Sequence, residues 1–326
     1  MKQPAHNAPY LLIDADVLAY RAAAGAEKVI CFEEDSCFPL CSLADAQAAF
    51  FGQLYAILDQ LGTSDYALCF SDDHNGGFRR RLFPGYKANR DGKSRPVALK
   101  FLREGLMRGD NPDAPVYIKP GLEADDCLGI LATLPSFMAG RQKVIVSVDK
   151  DMKGIPGFFY DMGKPDLGIQ PISREDADLW HMTQTLIGDA ADGYPGCPKI
   201  GPMTAKKLFD GIPRDYGHLW PVVVSAFEKV GFGEAEAVTQ ARLARILRAE
   251  DQLRPKPLQL RPVWPSLQPA REHHQIRLPL RRQERRGRPH EGPPLPRRTH
   301  QQNANGGRPE CSGNTITIIS PCLPSS

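Results

Sequence analysis

No apolar run in the 326-residue chain approaches the roughly 20 residues that span a bilayer. The first apolar stretch, "YLLIDADVLAY", is broken by Asp14 and Asp16 and does not read as a secretory signal. A cytoplasmic protein without a membrane partner is expected. The eight cysteines show neither paired CxxC spacing nor disulfide-rich density. Cys31, Cys37 and Cys41 with a distant His would make an unusual zinc site, and free thiols in a reducing compartment are the plainer reading. No "GxxxxGK[ST]" loop is present, which argues against a nucleoside triphosphate site. A single-sign charge is missing as well. Residues 1–250 carry 28 Lys and Arg against 33 Asp and Glu, a balance of −5; residues 251–326 carry 13 against 5, a balance of +8.

What is present is a rhythm of short apolar runs and helical patterns. "YLLID" (10–14), "YALCF" (66–70), "PVYIK" (115–119), "KVIVSV" (143–148) and "GFFYD" (157–161) read as buried strands. Residues 43–62 and 123–134 place apolar side chains at helical spacing between them. The alternation predicts an α/β fold around a central, mainly parallel sheet flanked by helices, over residues 1–174. From 175 to 250 the pattern is helical, with "REDADLWHMTQTLIGD" and "AEAVTQARLARILRAED" as the clearest segments. Residues 251–326 hold 12 Arg, one Lys and 13 Pro with almost no periodicity, a composition that predicts disorder. That segment reads either as a basic DNA-binding tail or as out-of-frame translation of a GC-rich gene.

Carboxylates collect where the predicted strands end: Asp14 and Asp16, Asp72 and Asp73, Asp149 and Asp151. The "EADD" of Glu123, Asp125 and Asp126 follows another strand, and "GDAADG" adds Asp189 and Asp192. Each cluster alone could cap a helix. Together they lie on one predicted rim, where open parallel sheets bind ligands. Two carboxylates about 5 Å apart repel by roughly 3 kcal/mol at an effective dielectric near 20. Divalent cations would relieve that repulsion, and an all-oxygen donor set suits Mg²⁺ or Mn²⁺. Two ions on such a rim is the arrangement of phosphoryl-transfer enzymes.

Two basic stretches suit the substrate of such a site. Residues 76–96, "GGFRRRLFPGYKANRDGKSRP", interleave Arg79, Arg80, Arg81, Lys87 and Arg90 with Phe83 and Tyr86, as single-stranded nucleic acid requires. An exposed charged helix or loop is the alternative. "PGCPKIGPMTAKKLF" (195–209) pairs a Gly/Pro turn with a helix start, so amides there and Lys206 and Lys207 could meet a duplex phosphate backbone. A structural αα-hairpin competes with that reading.

These motifs resemble the 5′-nuclease superfamily: flap endonucleases, the 5′-nuclease domain of bacterial DNA polymerase I, and phage 5′→3′ exonucleases. "GLEADDCLG" and "VSVDKDM" look like its metal motifs, "FPGYKANR" like its arch motif, and "DGYPGCPKIGPMTAKKL" like its helix–hairpin–helix. "VDKDMKGIP", "WHMTQTLIGDAADGY" and "ARLARILR" most resemble the exonucleases of short-tailed lytic phages. The resemblance runs from about Tyr10 to Asp251. It implies a PIN-like fold and a helix–hairpin–helix at 192–209. It implies one metal on Asp14, Asp72, Glu123, Asp125 and Asp126, and a second on Asp149, Asp151, Asp189 and Asp192. Lys87 would be the catalytic lysine, with Tyr86 stacking beside it. DNA contacts would come from Arg79, Arg80, Arg81, Arg90, Gly196, Ile200, Gly201, Thr204, Lys206 and Lys207, with K⁺ at the hairpin.

The activity implied is 5′→3′ hydrolysis of duplex DNA bearing a 5′ end or flap, or of an RNA–DNA hybrid, in phage replication, primer removal or host DNA degradation. Three residues depart from the pattern: Gly193 stands where polymerase-type members carry Asn, Lys199 where many members have Gly, and Met203 where many have Lys. A PIN-type ribonuclease, a dehalogenase-like phosphatase using Asp14, and a non-catalytic DNA-binding protein are the alternatives.

Overall fold

Five consecutive buried residues, Tyr10–Asp14, form the central strand β1. The computed structural model describes residues 8–32, 36–72, 77–109 and 114–253, all within the compact unit Met1–Arg271. Asp73, Gly76, Cys311, Cys322 and everything from residue 254 onward lie outside the described residues.

A buried strand with no polar face needs cover on both sides. Leu11 and Ile13 point to one side, into a cluster with Leu18, Phe50, Leu54 and Leu102. These come from helices α1 (Ala15–Ala26), α2 (Leu43–Gln60) and α4 (Leu99–Arg108). Tyr10 and Leu12 point to the other side, onto Leu128 and Leu131 of α5 (Ala124–Thr133). The remaining strands are β4 (Tyr66–Cys69), β5 (Val116–Tyr117), β6 (Lys143–Ser147), β7 (Gly157–Asp161) and β8 (Ile169–Ile172). They give a six-stranded sheet in the order β5-β4-β1-β6-β7-β8. Every pairing is parallel except β7 with β8. The sheet is therefore mixed and mainly parallel. The chain leaves β1 for β4 on one side and later returns to β6 on the other, so β1 sits at the topological switch point.

The five expected strands are present. Expectation missed β8, whose "IQPI" carries a proline and a glutamine on a sheet edge. It also missed the separate antiparallel hairpin of β2 (Lys28–Cys31) and β3 (Cys37–Leu40). There Cys31 and Cys37 face each other in register and are joined by a disulfide, which corrects the reading of both as free thiols. Cys41, Cys69, Cys127 and Cys197 are free.

Beyond the sheet lie α6 (Arg174–Ile187), α7 (Pro202–Leu208), α8 (Tyr216–Glu228) and α9 (Glu234–Ala244), which share a core of Met182, Leu186, Ala205, Val223 and Phe227. Helix α6 starts at Ser173, whose hydroxyl accepts the Asp176 amide. The stretch read as one helix over 235–251 is not continuous. After α9 the helix breaks at Arg245, residues 245–248 carry no regular secondary structure, and the chain resumes as the short α10 (Ala249–Leu253), which takes in the first residues of the expected tail.

Candidate active site

Asp14, at the carboxyl end of β1, shows how one side chain serves local structure and site together. Its Oδ1 caps α1 by accepting the Val17 amide at 3.1 Å, and its Oδ2 accepts the Ser147 hydroxyl at 2.7 Å. Asp149 sits two residues past the end of β6 and accepts the Asp151 amide at 2.8 Å. Asp125 lies in the first turn of α5. Two come from neighbouring strand ends and one from a helix start, and the charge of Asp149 acts on both Asp14 and Asp125. Burial, then the charges of Asp16 and Asp149, push the Asp14 carboxyl up to about 7. Burial, then Asp14 and Asp149, hold Asp125 well above the carboxylate range. Asp151 is likewise pushed up to about 7 by burial and by Asp149, with Asp189 and Asp192 adding to it.

A second ring of carboxylates is neutralised by cations. Glu123 receives Lys87 Nζ at 3.0 Å, the Tyr86 hydroxyl at 3.1 Å and Arg79 at 3.3 Å. Burial would raise its pKa, but Arg79 and Lys87 bring it below the ordinary value. Asp192 takes the Tyr86 hydroxyl at 2.9 Å, Arg90, and Lys87 at 3.7 Å. Lys150 pairs with Asp189 at 2.8 Å, and Gln184 of α6 donates to Asp151 at 2.6 Å. Asp72 accepts the Gly121 amide at 2.7 Å.

The segment carrying Lys87 is docked onto the Asp192 loop through its backbone. The Lys87 amide donates to the Asp192 carbonyl at 2.7 Å, and Asn89 donates to the Ala190 and Ala191 carbonyls. Gly193 permits this approach. It has φ +75°, and a Cβ there would lie 2.8 Å from the Gly85 carbonyl oxygen. Lys199 adopts a left-handed φ of 66°, a conformation that glycine favours.

Four expected site residues are spent elsewhere. Asp126 is fully buried, with its oxygens held by Arg79 at 2.8 Å each and by the Leu247 amide at 3.1 Å, so it faces away from the rim. Arg79, expected on DNA, is buried as the partner of Asp126. Tyr86, expected to stack on the substrate, is 2% exposed and stacks on Tyr194. The Gly196 amide is buried and donates to Gln240. The physical cause is shared: a bidentate pair or a closed hydrogen bond out of water leaves nothing to offer a phosphate. Asp16 also belongs to the framework, bound to Arg103 and to the Ser71 amide.

The other expected DNA contacts remain at the surface. Arg81, Gly201, Thr204, Lys206 and Lys207 are exposed, Ile200 is half-buried, and Arg80 and Arg90 are ion-paired but open to solvent. Ser147, Gln184, Asn89 and Lys150 were not singled out from sequence. Only Lys150, between Asp149 and Asp151, carried a signal.

Among the described residues no group of three or more His, Cys, Asp and Glu is gathered tightly enough to hold a metal ion. The donor set nevertheless fits a hard divalent cation: all oxygens, crowded, and destabilised by one another's charge. Glu123, Asp189 and Asp192 are drawn instead onto Lys87, Arg90 and Lys150.

The comparisons with known proteins bear on the same region. A family model described as the 5′-3′ exonuclease N-terminal, resolvase-like domain matches residues 9–155. The exodeoxyribonuclease of Enterobacteria phage T3 is 30% identical over 271 residues, covering 74% of this chain and 88% of that protein. The chain belongs to the 5′-3′ exonuclease family. It is accordingly a nuclease, a phosphodiester hydrolase. The exonuclease of Escherichia phage T7 is 28% identical to it, over 73% of this chain and 88% of its own. In fold the nuclease is similar to the bacteriophage T5 flap endonuclease solved with DNA and metal ions, at a TM-score of 0.51 and 14% identity over 72% and 88% of the two chains. The T5 5′-exonuclease with bound divalent zinc matches at a TM-score of 0.50.

Proposed function

We propose that the enzyme is a structure-specific 5′→3′ exodeoxyribonuclease acting on duplex DNA with a 5′ end or flap, and that it uses two Mg²⁺ ions, for which Mn²⁺ can substitute. The observation that carries this reading is the crowding of Asp14, Asp125 and Asp149 near the switch point of the sheet, where burial and the Asp149 charge raise Asp14, and burial with Asp14 and Asp149 raises Asp125 despite nearby Lys87. Asp14, Asp72, Glu123 and Asp125 would hold one ion, and Asp149, Asp151, Asp189 and Asp192 the other. When bound, such ions make a hydroxide nucleophile available near neutral pH and stabilise charge on the phosphate.

The chain's own groups do the rest. Lys87, half-enclosed against the Tyr86 ring at 5.0 Å, is placed to turn from Glu123 toward a phosphate oxygen and offset its developing charge. Arg90 can turn from Asp192 in the same way. Exposed Arg80, Arg81, Lys93 and Arg95 supply a cationic approach for the 5′ strand. Residues 192–209 act as a helix–hairpin–helix, with Gly201, Thr204, Lys206 and Lys207 meeting the duplex backbone and a K⁺ ion seated at the turn.

Asp149→Asn tests the reading. Cleavage should be abolished, while DNA binding stays within about tenfold, because the lost carboxylate binds metal rather than phosphate. Wild-type turnover in the variant would sink the assignment.

A further inference from the structure

The residues read as the end of a helix, 243–251, do something else. They form a strap behind the carboxylate rim and touch both of its halves. Toward the first half, the Leu243 and Arg245 carbonyls accept from Arg79, and the Leu247 amide donates to Asp126 at 3.1 Å. The Arg79–Asp126 pair so enclosed is the base on which Glu123 rests: Arg79 reaches Glu123 at 3.3 Å, and Asp126 accepts the Glu123 amide at 3.3 Å.

Toward the second half, Arg248 donates to the Gly154 carbonyl at 3.2 and 2.8 Å. Gly154 ends the turn Lys150–Gly154, which begins at Asp149 and carries Asp151. Arg248 is completely buried, and Asp178 of α6 neutralises it at 2.6 Å. Between these two grips, Ile246 and Leu247 pack in one cluster with Leu128 of α5 and with Met152 and Ile155 of that turn. The Ala249 amide then ties the strap to the Thr133 hydroxyl at 2.8 Å.

We infer that residues 243–251 are a positioning element: the strap fixes Glu123 relative to Asp149 and Asp151, and so sets the spacing at which the rim takes metal. This rests on the metal reading above. Two buried arginines and a buried ion pair are a costly way to hold this segment if stability alone is served, since apolar residues of similar volume often do as well. Outer partners that orient metal ligands commonly change affinity or activity by about 10- to 100-fold when removed.

Gly129 offers a test that alters no charge. It lies inside α5, and a Cβ there would run into the Leu247 carbonyl oxygen and crowd Ile246. In a helix interior Gly→Ala ordinarily stabilises the helix. Gly52 in α2, with nothing near its missing Cβ, is the matched control. Binding of Mn²⁺ alone would be titrated by electron paramagnetic resonance, alongside DNA affinity in EDTA and the single-turnover rate at saturating flapped DNA.

Gly129→Ala should weaken Mn²⁺ binding and slow cleavage by about tenfold or more, with DNA affinity within about twofold, while Gly52→Ala matches wild type. Wild-type Mn²⁺ affinity and rate in Gly129→Ala would overturn the inference and leave the metal reading intact. A wild-type protein that binds no Mn²⁺ would overturn both. If Gly129→Ala fails to fold, Arg248→Lys decides: it keeps the charge on Asp178 but loosens the grip on Gly154, and unchanged Mn²⁺ affinity there counts against the strap.

Discussion

Lys87 is fixed through its backbone as well as through its charge. Its backbone is left-handed, at φ 54°, its amide is fixed on the Asp192 carbonyl, and its ammonium bridges Glu123 and Asp192. Burial would lower the lysine's pKa, yet Glu123, Asp192 and Asp125 raise it, so the group stays charged across the working range. Lys87→Ala should therefore lower the single-turnover rate by about 10²-fold or more, with DNA affinity changed far less. An unchanged rate would count against its role. Lys199 gives a stability prediction. Relief of its left-handed strain, less the added freedom of the unfolded chain, should make Lys199→Gly more stable by up to about 1 kcal/mol, read from urea unfolding. A lower midpoint would contradict the strain argument.

At the scale of elements, the strand ends deliver acids whose pKa values are raised in the folded protein. A raised carboxyl binds more protons folded than unfolded, so between the ordinary Asp value and about 7 stability falls as pH rises. The metal-free protein should thus melt at a lower temperature at about pH 8 than at about pH 5.5, and added Mg²⁺ should raise the melting temperature more at the higher pH. Equal shifts at both values would mean that these carboxyls do not receive the ion.

Much of this rim was legible in sequence. Apolar runs fixed by burial on both faces announce β1, β4 and β6, and an acid after each one follows directly. What was not legible depends on tertiary partners. Nothing in "EADD" distinguishes Asp125, on the rim, from Asp126, turned back onto Arg79. Nothing in "ARLARILRAED" says that Arg245 and Arg248 are buried, because their counter-charges, Asp251 and Asp178, act only once the chain is folded. Periodicity read that stretch as a helix, and the strap's hydrogen bonds to α5 and to the Lys150–Gly154 turn overrode it.

For the whole molecule, charge is divided between an acidic body and a basic end, at −5 for residues 1–250 and +8 for 251–326. Every residue placed at the rim or in the strap precedes Gln252. A chain ending at Leu253 should keep its cleavage rate at saturating DNA, and it should bind more weakly with a shallower salt dependence if residues 254–326 contact phosphates. Loss of the saturating rate would show that the end segment takes part in the site. Metal-dependent hydrolysis from the 5′ end is read most directly as cleavage of a 5′-flapped DNA duplex, labelled in turn at each end, with Mg²⁺ and with EDTA. Short products from the 5′ label in Mg²⁺, progressive shortening of the 3′-labelled strand, and no cleavage in EDTA are expected. Cleavage that persists in EDTA, or that begins at the 3′ end, would contradict that assignment.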